Sequence, residues 1–253
     1  MDSDKLLNLA VSLGCLLAES GAEISRVEES VYRLLNAYGG EGAQVFAIPS
    51  CLIVSLTAED GRPVTRMRRI GAHGTDIELL EACNALCRRL CRTVPPLAEA
   101  RALVDRLPGS CRRHRPATVL LGYAAAPAFF CPLFGGGFWD ALSALFCGLV
   151  VGTCLLFGDK WLGRNSFLRT LVCSGVASLL SLLLVRAGLG RNVDVVTIGV
   201  LMLLVPGVAL TNAMRDLVAG DTYSGLSRTA EAILIATGIA LGAAVGLGVG
   251  QIL

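Results

Sequence analysis

Beyond Pro116 the chain holds five long stretches almost free of charge, and no other feature limits its possible folds so strongly. They cover about 117–134, 141–158, 167–187, 193–214 and 229–253. As helices rising ~1.5 Å per residue, each reaches roughly the 27–30 Å of a hydrocarbon core. A helix satisfies its own backbone hydrogen bonds in lipid, which an open irregular segment does not. The charge count divides at the same place: residues 1–116 carry 15 Lys/Arg and 14 Asp/Glu, whereas 117–253 carry 7 and 6. Two solvents are implied. This split, with 54% hydrophobic residues overall, excludes a single soluble globule, a disordered chain, a collagen-like fibre and a small disulfide scaffold. The expected architecture is an α-helical polytopic membrane domain of five spans, residues 116–253, preceded by a small α/β domain, residues 1–115.

The flanking charges set an orientation. Arg112, Arg113 and Arg115 precede the first span, Lys160, Arg164 and Arg169 follow the second, and Arg215 and Arg228 lie between the fourth and fifth; Arg186 and Arg191 face the other way. The positive-inside rule then puts the N-terminal domain in the cytoplasm and Leu253 outside, in a multi-pass protein of the cell (inner) membrane. The acidic start MDSDKLLNLAVSLG carries no cleavable-signal pattern. A net charge of +2 predicts no nucleic-acid partner.

The fourth span, DVVTIGVLMLLVPGVALTNAMRD, contains Pro206-Gly207. Proline cannot donate its backbone bond and clashes with the preceding turn, so a break or strong kink is expected there. Breaks of this kind expose carbonyls and a half-helix N-terminus suited to a carboxylate, and Thr211 and Asn212 follow as uncharged hydrogen-bonding groups; a kinked helix without a ligand is the plainer reading. Arg215, Asp216, Asp221, Arg228 and Glu231 come next. Burial of Asp216 or Glu231 would permit proton coupling, while Arg215 and Arg228 could pair with an anionic solute; otherwise all four are interfacial anchors. In the last span Gly238, Gly242, Gly246 and Gly250 repeat every fourth residue and bare one helix face for close packing, against a helix of this chain or of a partner.

In the first domain, apolar residues at Leu6, Leu9, Val11, Leu13, Leu16 and Leu17 form broadly one helical stripe. Ser20-Gly21-Ala22-Glu23 reads as a capping box opening a second helix with Ile24, Val27, Val31, Leu34 and Leu35 inward. From Gln44 to Ile70, three β-rich runs are separated by Pro49-Ser50 and by the hairpin signal Glu59-Asp60-Gly61-Arg62, predicting a small antiparallel sheet. Thr75-Asp76-Ile77-Glu78 reads as a second capping box, and a further helix is expected to end before Pro108-Gly109. Arg62, Arg66, Arg68 and Arg69 make one strand basic, either as a solvated face or as an attractant for anions.

No enzyme is evident. The two histidines, His73 and His114, lie beside no nucleophile, and no GxxxxGKS phosphate loop occurs. Cys83, Cys87 and Cys91 are spaced four apart, but adjacent stripe residues chelate poorly and packing is the better reading. The expectation is no catalytic residue, no metal and no cofactor.

The chain resembles the threonine/serine exporter family, as its N-terminal half occurs in two-subunit members. The likeness covers nearly the whole chain and rests on LLAESGAEISRVEESV (Leu16 to Val31), Ile48-Pro49-Ser50, GAHGTDIELLEACNALCRRL (Gly71 to Leu90) and, most specifically, PGVALTNAMRDLVAGDTYSGLSRTAEA (Pro206 to Ala232). The resemblance implies an exporter of small polar metabolites, threonine and serine or a dicarboxylate such as succinate. It also implies a second, smaller membrane subunit, since this sequence stops after five expected spans; a homo-oligomer is a further possibility. It points to Pro206, Gly207, Thr211, Asn212, Arg215, Asp216, Gly220, Asp221, Gly225, Arg228 and Glu231 as the transport region, and to Gly21, Arg26 and Glu28 in the first domain. The rival reading is a membrane-anchored sensor or scaffold without transport activity.

Overall fold

The computed structural model describes residues 2–71, 74–111, 114–158 and 165–252. Arg112, Arg113, Lys160, Arg164 and Leu253, used above for orientation, and His73 lie outside them.

Two compact units form. The first comprises residues 1–112 together with 208–229, the second 113–207 together with 230–253. In the first, helix α1 (Ser3–Glu19) is followed by α2 (Ile24–Ala37), strands β1 (Glu41–Ile48), β2 (Cys51–Thr57) and β3 (Pro63–Arg69), then α3 (Ile77–Thr93) and α4 (Leu97–Ser110). The strands form an antiparallel sheet in the order β1-β2-β3. Pro49-Ser50 and the 58–62 hairpin make the two turns as expected, the second closed by Ala58 N–H to Arg62 O at 2.9 Å.

Helix α1 differs from its expected single stripe. It packs on α2, β2, β3, α3 and α4 at once, and Leu6, Leu7, Leu9, Ala10, Val11, Leu13, Cys15, Leu17 and Ala18 are all buried. A helix apolar on most sides belongs at the centre of its unit. The second face of that core comes from Leu52, Val54 and Leu56 of β2, which alternate inward. Arg66 and Arg68 of the basic strand do not present a free cationic face: Arg66 pairs with Asp4 at 2.8 Å and Arg68 donates to Ser12 Oγ at 3.2 Å.

Three local readings shift. Ser20 does not cap α2; it ends α1 and its hydroxyl donates to Leu17 O at 2.9 Å. Asp76 rather than Thr75 caps α3, accepting from Leu79 N at 3.0 Å. Helix α4 runs through Pro108, because in a last turn proline forfeits only one intrahelical bond. Cys83 and Cys87 are buried in the first core.

The second unit contains α5 (Pro116–Leu133), α6 (Phe138–Phe157), α7 (Ser166–Arg186), α8 (Val193–Leu201) and the greater part of α10 (Thr222–Ile252); α9 (Gly207–Ala219) from Val208 onward and the opening turns of α10 belong to the first. Small side chains point inward: Ala124, Cys131, Ala144, Cys147, Val151, Cys173 and Ala177 are buried. Large apolar ones point out, Leu121, Phe129, Leu133, Phe138, Val245 and Ile252 being among the most exposed. That inversion of the soluble pattern suits helices whose outer surface meets lipid.

Among the described residues four helices, α5, α6, α7 and α10, are long and apolar enough to cross a membrane. The expected fourth span, 193–214, is not one helix. Helix α8 ends at Leu201, the chain turns through Met202, Leu203 and Leu204, and α9 starts at Gly207. With nine and 13 residues, α8 and α9 reach about 13 and 20 Å, short of a ~30 Å hydrocarbon core. Pro206 is the physical reason, since it supplies no N–H to continue the helix. The last helix begins at Thr222, seven residues before the expected start of its span.

Helix α7 fills the glycine groove of α10. A Cβ on Gly242 would overlap the Leu171 carbonyl and the Ser174 hydroxyl, and one on Gly246 would overlap the Gly175 carbonyl. Ser174 Oγ also lies 3.5 Å from Gly238 O, and Arg186 donates to Gly250 O at 2.7 Å. The partner left open by the repeat is therefore a helix of this chain.

Candidate functional site: a polar clasp on the 21–24 connection

Residues 212–228 close around the short link between α1 and α2, all within the first unit. The link turns at Gly21, whose φ of +96° favours glycine and whose Cβ would lie 2.8 Å from Gly74 O. Four side chains from α9 and α10 grip it in residue order. Asn212 Nδ2 donates to Gly21 O at 3.1 Å, Arg228 donates to Ala22 O at 2.8 Å, Arg215 pairs with Glu23 at 2.5 Å, and Asp216 Oδ1 accepts from Ile24 N at 3.2 Å.

Helical spacing explains the arrangement. Asn212, Arg215 and Asp216 lie three and four residues apart and so share a face of α9. Gly220, at φ +95°, turns the chain back, and Asp221 N–H bonds to Asp216 O at 2.9 Å. Gly225 lets α10 return close to α9, where a Cβ would press on Leu217 and Ala213 O. Arg228 thereby comes to face Asp216.

Asp216 is fully buried. Its Oδ2 has no hydrogen-bond partner, and Arg228 Nε stands 3.6 Å away, near enough for charge attraction but beyond a good hydrogen bond. Burial pushes the carboxyl above its ordinary value; the Arg228 charge and the Ile24 amide work against that rise, and the Asp221 and Glu23 carboxylates add to it. Arg215 is more exposed, with 63% of its side chain accessible, so its pair with Glu23 is a weak tie open to exchange.

Other expected residues fall elsewhere. Glu28 accepts from Ala47 N at 2.7 Å and ties α2 to β1; burial raises its carboxyl too. Arg26 is exposed on α2 and lines a separate cleft. Thr211 is exposed on α9, and Pro206 and Gly207 stand at the break. Glu231 belongs to the second unit, is exposed, and has no partner among the described residues. Asp216 is thus the one member of the expected proton-coupling pair that the clasp contains.

Two features escaped the sequence reading. Asp140, buried at the start of α6, accepts from the Arg191 and Asn192 amides at 2.6 and 3.0 Å and from Gly137 N at 3.0 Å, pinning the α7–α8 connection. Thr170, Ser174, Ser178 and Ser181 line the buried side of α7, and each hydroxyl bonds to a carbonyl three or four residues back. Their spacing of four, four and three was the available signal.

Among the described residues no group of three His, Cys, Asp or Glu side chains is placed to hold a metal ion. The Cys83 and Cys87 thiols, pushed up to about 12 by burial, offer no ready thiolate.

An α/β unit beside helices long and apolar enough to cross a membrane, with an interrupted segment before the clasp, fits a multi-pass membrane protein. The family model for threonine/serine exporters, ThrE, matches residues 8–250. The chain belongs to the threonine/serine exporter family, a family of transporters. It is 24% identical to "Threonine/serine exporter" of Corynebacterium glutamicum over 98% of this chain and 52% of that protein. It is 25% identical to "Probable threonine/serine exporter" of Mycobacterium tuberculosis over 96% of this chain and 46% of that protein. It is 27% identical to "Probable succinate transporter subunit YjjP" of Klebsiella aerogenes, over 96% of this chain and 95% of that one. The chain spans about half the length of the two exporters and nearly all of the succinate transporter subunit. No solved structure matches it.

Proposed function

We propose that this protein is the larger subunit of a proton-coupled exporter of small carboxylates or hydroxy amino acids, seated in the inner membrane with residues 1–115 in the cytoplasm. Threonine, serine and a dicarboxylate such as succinate are the candidate substrates, by analogy with what the relatives are named for. A second, smaller membrane protein supplies the remainder of the translocation path, in keeping with relatives named as a succinate transporter subunit. The protein catalyses no covalent reaction in this account.

One observation carries the reading: Asp216 is fully buried, with one oxygen on the Ile24 amide and the other facing Arg228 without a hydrogen bond. A buried carboxyl with a raised pKa holds its proton to a higher pH than an exposed one, which suits it to carry a proton. Arg215, Arg228 and Asn212 are the groups suited to a carboxylate. Here they hold Glu23 and the Gly21 and Ala22 carbonyls, and in this reading an anionic substrate displaces the Glu23 carboxylate. Export then alternates between a clasp closed on the 21–24 link and one opened by substrate and proton. The test is efflux of preloaded radiolabelled threonine, serine and succinate from vesicles holding this chain with and without the proposed second, smaller membrane subunit. Efflux that needs both proteins supports the proposal; none for any of the three solutes with both present rejects it.

A further inference from the structure

Helices α2 and α3 leave between them a cleft of about 350 Å³ that the clasp does not use. Arg26 and Arg33 reach it from α2, Arg88 and Arg92 from α3, with Ser30 and Asn84 between them. The spacing follows from the helices: 26, 30 and 33 share one face of α2, and 84, 88 and 92 one face of α3. Only Arg33 has a carboxylate partner, Glu29 at 2.5 Å. Arg26, Arg88 and Arg92 have no acidic or hydrogen-bonding partner among the described residues. One acid against four guanidiniums leaves the cleft three charges positive. Arg88 and Arg92 also repel each other across one helical turn, a cost that a multivalent anion removes.

We infer that this cleft is a binding site for a multivalent phosphate compound. A concave surface of one sign focuses its field on a counter-ion. The guanidinium fork matches pairs of phosphate oxygens, where an ammonium offers a single point of charge. A monocarboxylate would neutralise only one of the three excess charges, so the arrangement suits a diphosphate or a phosphomonoester dianion better than an amino acid. The same chemistry comes from a soluble phosphometabolite or from an anionic lipid headgroup. The inference does not depend on the exporter mechanism, since it uses none of the clasp residues.

Titration calorimetry of the purified full chain in neutral detergent, with inorganic pyrophosphate as probe, tests it. We expect one site per chain, weakening as salt rises. R88Q/R92Q should bind at least about tenfold more weakly, as expected for losing charge-assisted contacts, while R62Q, on the exposed β2–β3 hairpin, binds as wild type. Equal unfolding midpoints of the two variants show that loss of binding is not loss of fold. A second measurement in nanodiscs, with and without phosphatidic acid, separates the sources. Weakened pyrophosphate binding in the acidic discs assigns the site to a headgroup, and unchanged binding assigns it to a soluble ligand. No binding of pyrophosphate by the wild type, or equal binding by R88Q/R92Q, overturns the inference.

Discussion

The carboxylate of Asp216 accepts a hydrogen bond at 3.2 Å from the backbone N–H of Ile24, 192 positions earlier in the chain. That N–H opens α2 and has no acceptor inside the helix. Glu23, at the N-cap, makes no side-chain bond to it. The distant aspartate therefore takes the place of a local cap and sets its charge at the positive end of the helix dipole. Asp216→Ala leaves the buried amide unpaired and removes the counter-charge of Arg228. Its expected cost is about 1–3 kcal/mol, read as a lower thermal unfolding midpoint in detergent. An unchanged midpoint would show that the contact does not hold α2 in place.

The same residue gives a pH signature. Because burial raises the Asp216 carboxyl, the folded chain binds that proton more tightly than the unfolded chain. Its contribution to stability is full below the ordinary value of 3.8 and is lost as pH rises through the raised folded value. Glu28, also raised by burial, has the same sign and is present in both proteins compared here. Unfolding midpoints of wild type and Asp216→Asn, followed upward from about pH 4, should diverge in favour of the variant. Parallel curves would contradict the assignment.

Arg215 is the exposed partner of its pair with the more sheltered Glu23, so solvent screens the pair and Glu23→Gln should change stability by no more than about 1 kcal/mol. If the Glu23 carboxylate competes with substrate, the variant should need less substrate for half-maximal export. Hydrogen exchange at the 21–24 amides should also rise on adding substrate to the wild type. Neither change occurs if the pair is a passive surface contact.

Helices α7 and α10 meet backbone to backbone at Gly175, Gly242 and Gly246. Gly242→Leu should force them apart at a cost of about 1–3 kcal/mol or more, seen as reduced yield of monodisperse protein. Gly248→Ala is the control, since nothing lies within 4 Å of the added carbon. Equal yields of the two variants would refute the packing.

Periodicity made much of this legible. The antiparallel sheet follows from alternation and two turn signals, the break in 193–214 from Pro206, and the close helix contact from the glycine repeat. Composition could not show that the opening residues of α10 and nearly all of α9 fold with the α/β unit, because their apolar residues read the same for either environment. The Ser20-Gly21-Ala22-Glu23 pattern misled for a related reason: local spacing offers a cap, but a buried carboxylate from Asp216 takes that place once the chain folds. For the site, Asn212, Arg215, Asp216 and Arg228 were visible as polar residues in apolar sequence. Their common target, the 21–24 link, was not, since nothing in sequence pairs residues nearly two hundred apart.

The proton-carrying role of Asp216 is tested most directly by efflux of labelled substrate from vesicles under an imposed pH gradient, comparing wild type with Asp216→Asn at equal membrane abundance. Wild-type efflux should follow the gradient, and the variant, with an amide that still accepts from Ile24 but cannot titrate, should lose that response. A variant that exports as fast as wild type and responds equally to the gradient would contradict the account.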